Sequence, residues 1–244
     1  TPNFWRAPTD NDRVYAVHVD GAAPWQTAYD DRDRMELVVV EDTEDRVILE
    51  NSFHLPHRDV EGRLTYTMSG DGSLDISMRL DLRGLPSDRE LARIGLQGQV
   101  DPAFSNLRWY GRGPFENYSD RKSAANVGVY EFSLQDFYVN YIKPQESSNR
   151  TDVRWFELMD ANRVGLRVQA GNTFELSVWP HTQTEIASRR HPHRLARSRG
   201  NVVNIDLVQR GVGGDTGWAS SSMAHPPYRI GADTYEYRFT LSPL

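Results

Sequence analysis

The chain has 244 residues, 38% of them hydrophobic, with 11 Tyr, 9 Phe, 6 Trp and a formal net charge of −6. That length and apolar content support a buried core and exclude a disordered chain, while the acidic balance disfavours nucleic acid, whose binding depends on cations neutralising phosphates. With no cysteine, a disulfide framework and a thiolate-ligated metal are excluded, and no apolar run approaches the length of a membrane span.

The opening "TPNFWRAPTDND" has neither an initiator Met nor a basic-then-apolar leader, so it reads as the start of a piece from a longer protein. The absence of cysteine leaves the redox compartment undetermined and a secretion signal would lie outside this piece; a cytoplasmic location is the expectation taken. Residues 1–34 are expected to be loop-rich, with Trp5, Trp25 and Tyr29 available to pack against other domains.

From there the pattern has period two, the strand signature. Strands are expected at 35–41, 46–55, 62–69 and 73–82, with "EDTED" and "SGDG" at two of the joints. More follow at 92–100, 105–111, 154–160, 163–170, 174–180, 201–209 and 234–242. One stretch invites a helix: "HTQTEIASRR", where Thr182 and Glu185 have the spacing of a capping box. The sum is an all-β antiparallel fold in a single domain over 1–244, larger than a minimal immunoglobulin-like module. Three long non-strand stretches, 1–34, 111–152 and 210–231, are the places to look for function.

Glu116 in "GRGPFENYSDRK" and Glu146 in "KPQESSNR" are the best-paired carboxylates, each among polar and aromatic neighbours. They fit either the two carboxyl groups of a retaining glycosidase or acceptors that tie down their own loops. Asn117, Asp120, Arg121 and Asp215 share those loop-organising roles. In "GVGGDTGW", the glycines allow positive φ and close backbone approach, and Trp218 is either a platform for the C–H face of a sugar or a plug for the core. His54 with His57, and His191 with His193, have spacings that can present two metal ligands but lack a third, so no metal site is expected. The basic run 188–200 reads as an ion-paired loop or docking surface.

Four stretches occur in order along nearly the whole chain: "TPNFWRAPTDND", "GRGPFENYSDRKSA", "YIKPQESSNRTDVRW" and "GVGGDTGW". Together they resemble the C-terminal small-chain region, domain 5, of the large bacterial β-galactosidases of glycoside hydrolase family 2. The resemblance implies a large antiparallel super-sandwich similar to galactose mutarotase. It also implies that both catalytic glutamates lie on a TIM barrel outside this chain, which leaves no catalytic residue here and makes Glu116 a loop organiser held by Arg121 or a backbone N–H. Trp218 matches the family's Trp that reaches the barrel's active site, with Thr216 and Gly217 as the spacer. The Mg²⁺ and Na⁺ of the whole enzyme are implied to sit mainly on other domains, so no cofactor is assigned to this chain. Its implied partners are the barrel and sandwich domains of the same polypeptide and β-galactosides, and an oligomeric whole enzyme is compatible with the family. Two rival readings remain: a freestanding carbohydrate-binding module, and a sugar mutarotase needing a converging Glu and His.

Overall fold

In the computed structural model, which describes residues 1–16, 25–56, 58–85 and 91–244, the period-two segments join one antiparallel sheet of twelve strands. The first half of the chain gives β1 (Pro2–Asn3), α1 (Asp10–Ala16), β2 (Asp33–Asp42), β3 (Arg46–Leu55), β4 (Val60–Ser69), β5 (Leu74–Asp81), β6 (Arg93–Val100) and β7 (Asn106–Gly113). The second gives β8 (Asn126–Ser133), α2 (Leu134–Phe137), β9 (Arg150–Met159), β10 (Gly165–Trp179), α3 (Gln183–Ser188), β11 (Asn201–Gln209) and β12 (Thr234–Pro243).

The strand order is β1-β6-β11-β10-β12-β5-β4-β3-β2, with β9, β7 and β8 attached to the other side of β10. The β2 to β5 meander follows from turn chemistry. Thr43 N–H donates to the Arg46 carbonyl at 2.9 Å between β2 and β3, and Gly72 takes φ +82° between β4 and β5. At the outer edge, β2 leaves Met35, Leu37, Val39 and Val40 exposed, with Glu36, Glu41 and Asp42 along the same strand.

β10 is the strand on which the sheet forks. Its first part, Leu166–Gln169, pairs with β12; past an irregularity between Gln169 and Phe174, Glu175–Trp179 pair with β11. The sequence suggested two strands here. The "AGNT" interruption is absorbed as a bulge within one strand instead of a turn, so the chain keeps its direction and passes from one neighbour to another.

Two other expectations change. β8 was not foreseen, because Val127 and Val129 face solvent while Tyr130 and Phe132 pack on Trp109 with ring centroids 5.3 and 5.6 Å apart. α1 was not foreseen either, although Thr9 and Asp12 form a reciprocal cap: Asp12 N–H donates to Thr9 Oγ1 at 3.1 Å, and Thr9 N–H to Asp12 Oδ2 at 3.0 Å. α3 forms where Thr182 and Glu185 placed it, with Glu185 N–H donating to Thr182 Oγ1 at 3.2 Å. Trp5 and Trp25 do not wait for another domain; both are buried in the core of this one, with Tyr29 packed against it.

The inner face of the sheet is apolar: Phe53, Leu64, Met78, Ile94, Trp109, Phe156, Leu176, Ile205 and Phe239 are all buried there. What sets this domain apart is its other face. Over β6, β11 and β10 that face is also buried, and it is polar: Arg93, Asn204, Asp206, Glu175 and Ser177 are covered by the long loops. Gly95 pairs with Asp206 across β6 and β11, and a Cβ at Gly95 would lie 1.9 Å from Asp206 Oδ1 and 2.9 Å from its Cα. Only a residue without Cβ leaves room for the carboxyl. Gly95→Ala is therefore expected to destabilise the domain by about 1–3 kcal/mol, measured by urea denaturation; a change below about 0.5 kcal/mol would contradict the crowding seen at this position.

Candidate functional site

The buried polar layer is organised around one guanidinium. Arg93 donates to Glu146 Oε1 at 2.9 Å and to Asn204 Oδ1 at 3.2 Å, and its Nε lies 3.0 Å from Asp206 Oδ2. Gln209 Nε2 carries the network onward, donating to Asn149 Oδ1 at 3.0 Å and to Asp206 Oδ2 at 3.3 Å. Asn149 in turn donates to Glu175 Oε2 at 2.6 Å. Glu146 and Asn149 belong to the loop before β9, so the network binds that loop to the sheet.

The "GRGPFENYSDRK" loop is laid over it by short side chains that bond to backbone. Asn117 Oδ1 accepts from Thr151 N–H at 2.9 Å and from its hydroxyl at 2.6 Å, while Asn117 N–H donates to the Asn149 carbonyl at 2.9 Å. Glu116 Oε2 accepts from Ser148 N–H at 2.7 Å and Oε1 from the Tyr141 hydroxyl. Arg121, named as a partner for Glu116, lies instead beside Asp120 and the glycine-rich loop, because the turn at Tyr118–Arg121 directs it that way. Buried Arg150 donates to the carbonyls of Pro114, Ser148 and Asn149 at 3.1, 3.0 and 3.2 Å and sits 4.2 Å from the Phe137 ring centroid. Burial pulls its guanidinium down to about 10.

Asp120 then fixes "GVGGDTGW". Its Oδ2 accepts from Val212 N–H at 2.9 Å and Gly213 N–H at 2.8 Å, and a Cβ at Gly211 would lie 2.7 Å from its Cγ. The glycines of this loop are needed for close approach, not for left-handed backbone: among the described glycines only Gly72 has positive φ. Asn11 of α1 donates to the Val212 carbonyl at 3.2 Å, and α1 is itself held by Asp12, which pairs with Arg6 at 2.9 Å and Arg210 at 2.7 Å. Burial alone would raise the Asp12 carboxyl, but the two guanidiniums outweigh it and hold the group well below its ordinary value.

At the tip, Trp218 is 79% exposed. Its backbone is pinned by a local ring: Trp218 N–H donates to Thr216 Oγ1 at 3.2 Å, and the Ser221 hydroxyl to the Trp218 carbonyl at 2.6 Å. Trp218 thus does not plug the core; it stands in solvent on a stiffened loop. Asp215 pairs with His225 at 2.9 Å beside it, both exposed.

Residues 1–241 match the family described as β-galactosidase small chain. The chain belongs to this family. A β-galactosidase from Priestia megaterium is 35% identical over 246 residues, covering 100% of this chain and 23% of the relative. One from Lactobacillus delbrueckii subsp. bulgaricus is 32% identical over 243 residues, covering 99% and 23%. The chain therefore spans under a quarter of the length of these curated relatives. Among solved structures, a GalM/aldose epimerase homologue from C. elegans aligns with a TM-score of 0.45 at 9% identity, over 87% of this chain and 69% of that one.

In this small-chain domain the predicted residues Glu116, Asn117, Asp120, Arg121 and Glu146 come together around the loop bearing Trp218, with Asp215 on that loop. Burial, with the charges of Glu146 and Glu116 adding to it, pushes the Tyr118 hydroxyl far above its ordinary range. Among the described residues, the hydrogen-bond partners of these two carboxylates are Ser148, Tyr141 and Arg93. Among the described residues no cluster of three His, Asp or Glu is placed to hold a metal. His57 lies outside the described residues; His54 pairs with Asp33 at 2.6 Å and Asp59 at 3.0 Å, and His191 stacks on His193 at 5.5 Å. In the basic segment, Arg189 pairs with Glu185 at 2.7 Å.

Sequence reasoning missed Arg93, Glu175, Asp206, Arg150 and the Arg6–Asp12–Arg210 set. In "NVVNIDLVQ" the polar positions alternate with apolar ones, the pattern of a solvated face. The signal that could have corrected this was Gly95, a strand glycine, which marks a close approach.

Burial raises Glu146 and Asp206, against the pull of Arg93, and pushes Glu175 up to about 7 from 4.5, despite its bonds from Asn149 and Gln209. A carboxyl raised in the folded state favours folding below its unfolded value and loses that contribution as pH rises to its folded value. For Glu175 the window runs from about 4.5 to about 7. The thermal midpoint should fall across it, and Glu175→Gln, which mimics the protonated acid, should flatten the fall; an unchanged pH profile in the variant would contradict the assignment.

Proposed function

We propose that this chain acts as the C-terminal part of a β-galactosidase that hydrolyses terminal β-D-galactosyl residues with retention, packing on a catalytic TIM barrel and lending Trp218 to its sugar site. The observation that carries the reading is the exposure of Trp218 on a loop anchored at its base by Asp120 and Asn11. An indole held in water loses the favourable burial that a core position would supply. Once a sugar lies on its face, the same ring provides a broad apolar contact at little conformational cost, because the loop is already ordered.

A retaining mechanism needs two carboxyl groups about 5–5.5 Å apart, one attacking the anomeric carbon and one donating a proton to the leaving oxygen and later activating water. The family resemblance assigns both to the barrel, together with the Mg²⁺ and Na⁺ beside them. What this domain adds is orientation of the sugar and exclusion of water from one side of the site. Its Glu146 is engaged by Arg93 and its Glu116 by Ser148 and Tyr141, roles in holding loops.

In the β-galactosidase polypeptide that carries this domain, Trp218→Ala is expected to lower kcat/KM for lactose about tenfold or more, corresponding to about 1.4 kcal/mol of lost stabilisation. The 244-residue chain alone should hydrolyse no nitrophenyl galactoside, and activity should appear when it is mixed with the remaining domains. An unchanged kcat/KM in the variant, or turnover by the chain alone that Glu116→Gln abolishes, would overturn the proposal.

A further inference from the structure

At its β2 end the inner face of the sheet runs out of cover. Residues directly opposite one another on paired antiparallel strands share a face, so the rows of the inner face can be followed outward from the core. One row runs Phe239, Ile76, Tyr66, Leu49, Val39, and its neighbour Met78, Leu64, Asn51, Leu37. Both start fully packed, with Phe239 and Met78 2% exposed and Leu64 closed off entirely, and both end in water, with Val39 59% and Leu37 64% exposed. Met68, four positions after Leu64 on β4 and therefore on the same face, is 40% exposed. The outer face of the same strands is polar, as in the row Arg238, Ser77, Thr65, Glu50, Val38. Leu37, Val39 and Met68 are thus the unfinished margin of the domain's own core rather than scattered surface residues.

Charge rules on what covers this margin. Glu36, Glu41, Asp42, Glu44 and Asp45 rim it, and Arg46, the one cation between Met35 and the start of β3, is taken by Glu41 at 2.6 Å. A second copy laid antiparallel along β2 would set Glu36 against Glu41 or Asp42 in the registers that oppose the valines, and like charges directly opposite are destabilising. An occupant with Lys or Arg beside its apolar residues meets no such penalty.

Continuity with the core points to a permanent partner, because lasting interfaces resemble a core cut in half while transient ones are more polar. The source of such a partner is the rest of the polypeptide, since the chain accounts for 23% of its relatives. We propose that the inner face of β2 and β3 is covered by an apolar segment, flanked by Lys or Arg, from the part of the same polypeptide outside these 244 residues. This rests on the reading that the chain works within a longer polypeptide, and not on the role given to Trp218. β2 closes one end of the strand order, and the loop that carries Trp218 follows β11 near the other, so this is a second interface.

The test is side-chain footprinting with hydroxyl radicals and carbenes, read by mass spectrometry on the 244-residue chain and on the whole polypeptide. Leu37, Val39 and Met68 should be labelled in the chain alone and at least tenfold less in the whole polypeptide. Val39→Lys should leave the thermal midpoint of the chain alone unchanged, because the site is open there, and in the whole polypeptide should return Leu37 and Met68 to within about twofold of their labelling in the chain alone. If that variant of the whole polypeptide does not fold, the wild-type comparison decides. Equal labelling of the three residues in both proteins would overturn the proposal. So would protection that disappears on dilution of the whole polypeptide to monomers, or that appears in the 244-residue chain alone as it dimerises, since either result would give the face to another subunit. Trp218→Ala should leave the labelling unchanged. Protection with an unaltered kcat/KM in Trp218→Ala would remove only the sugar platform, and a tenfold loss of kcat/KM without protection would remove only this interface.

Discussion

The Arg93 guanidinium, buried with Glu146 and Asp206, is the constraint on which the rest of the site depends. It lies on the face of the sheet that would ordinarily meet water. Removing three ions from solvent is costly and is offset only where geometry is good and remaining lone pairs find donors. Here Asn204 Oδ1 accepts from Arg93, and Gln209 Nε2 donates to Asp206 Oδ2. Breaking such a cluster by deleting one member leaves a buried charge behind, which is why it acts as a fastener rather than as a source of net stability.

From Arg93 the order passes outward in steps that can be followed bond by bond. Glu146 and Asn149 bring the loop before β9 onto the sheet. Asn117 and Glu116 lock the next loop to it through Thr151, Ser148 and Asn149. Asp120, at the end of that loop, catches Val212 and Gly213, and the glycine-rich segment ends in an exposed indole. A long loop would normally give a mobile side chain. The layered attachment makes Trp218 the tip of a supported structure.

Much of the sheet was legible because one of its faces follows the usual rule. The meander from β2 to β5, β11 and β12 alternate apolar and polar residues, and Thr182 with Glu185 announced α3. The equivalent signal at Thr9 and Asp12 was present but shorter by one methylene, and it was hidden in a stretch dense with Pro and charged residues. The polar layer was not legible for a physical reason. Alternation reports only that two faces differ, and a polar face looks the same in sequence whether water or three long loops cover it. Loop residues rich in backbone-bonding side chains, Asn117 and Asp120 above all, were recognisable as organisers. Their partners, at Thr151 and at Val212 and Gly213, lie some 34 and 93 positions away at most, beyond the reach of spacing arguments.

The central claim is that the buried ion cluster, and not the apolar core, holds the loops that carry Trp218. The most direct measurement is residue-resolved amide hydrogen exchange on the native protein and on Arg93→Met, which keeps the volume and removes the charge. The account predicts faster exchange at Ser148, Thr151, Val212 and Gly213, with the β3 to β5 amides still protected. Equal protection at those four amides in both proteins, or a uniform loss across the whole sheet, would contradict it.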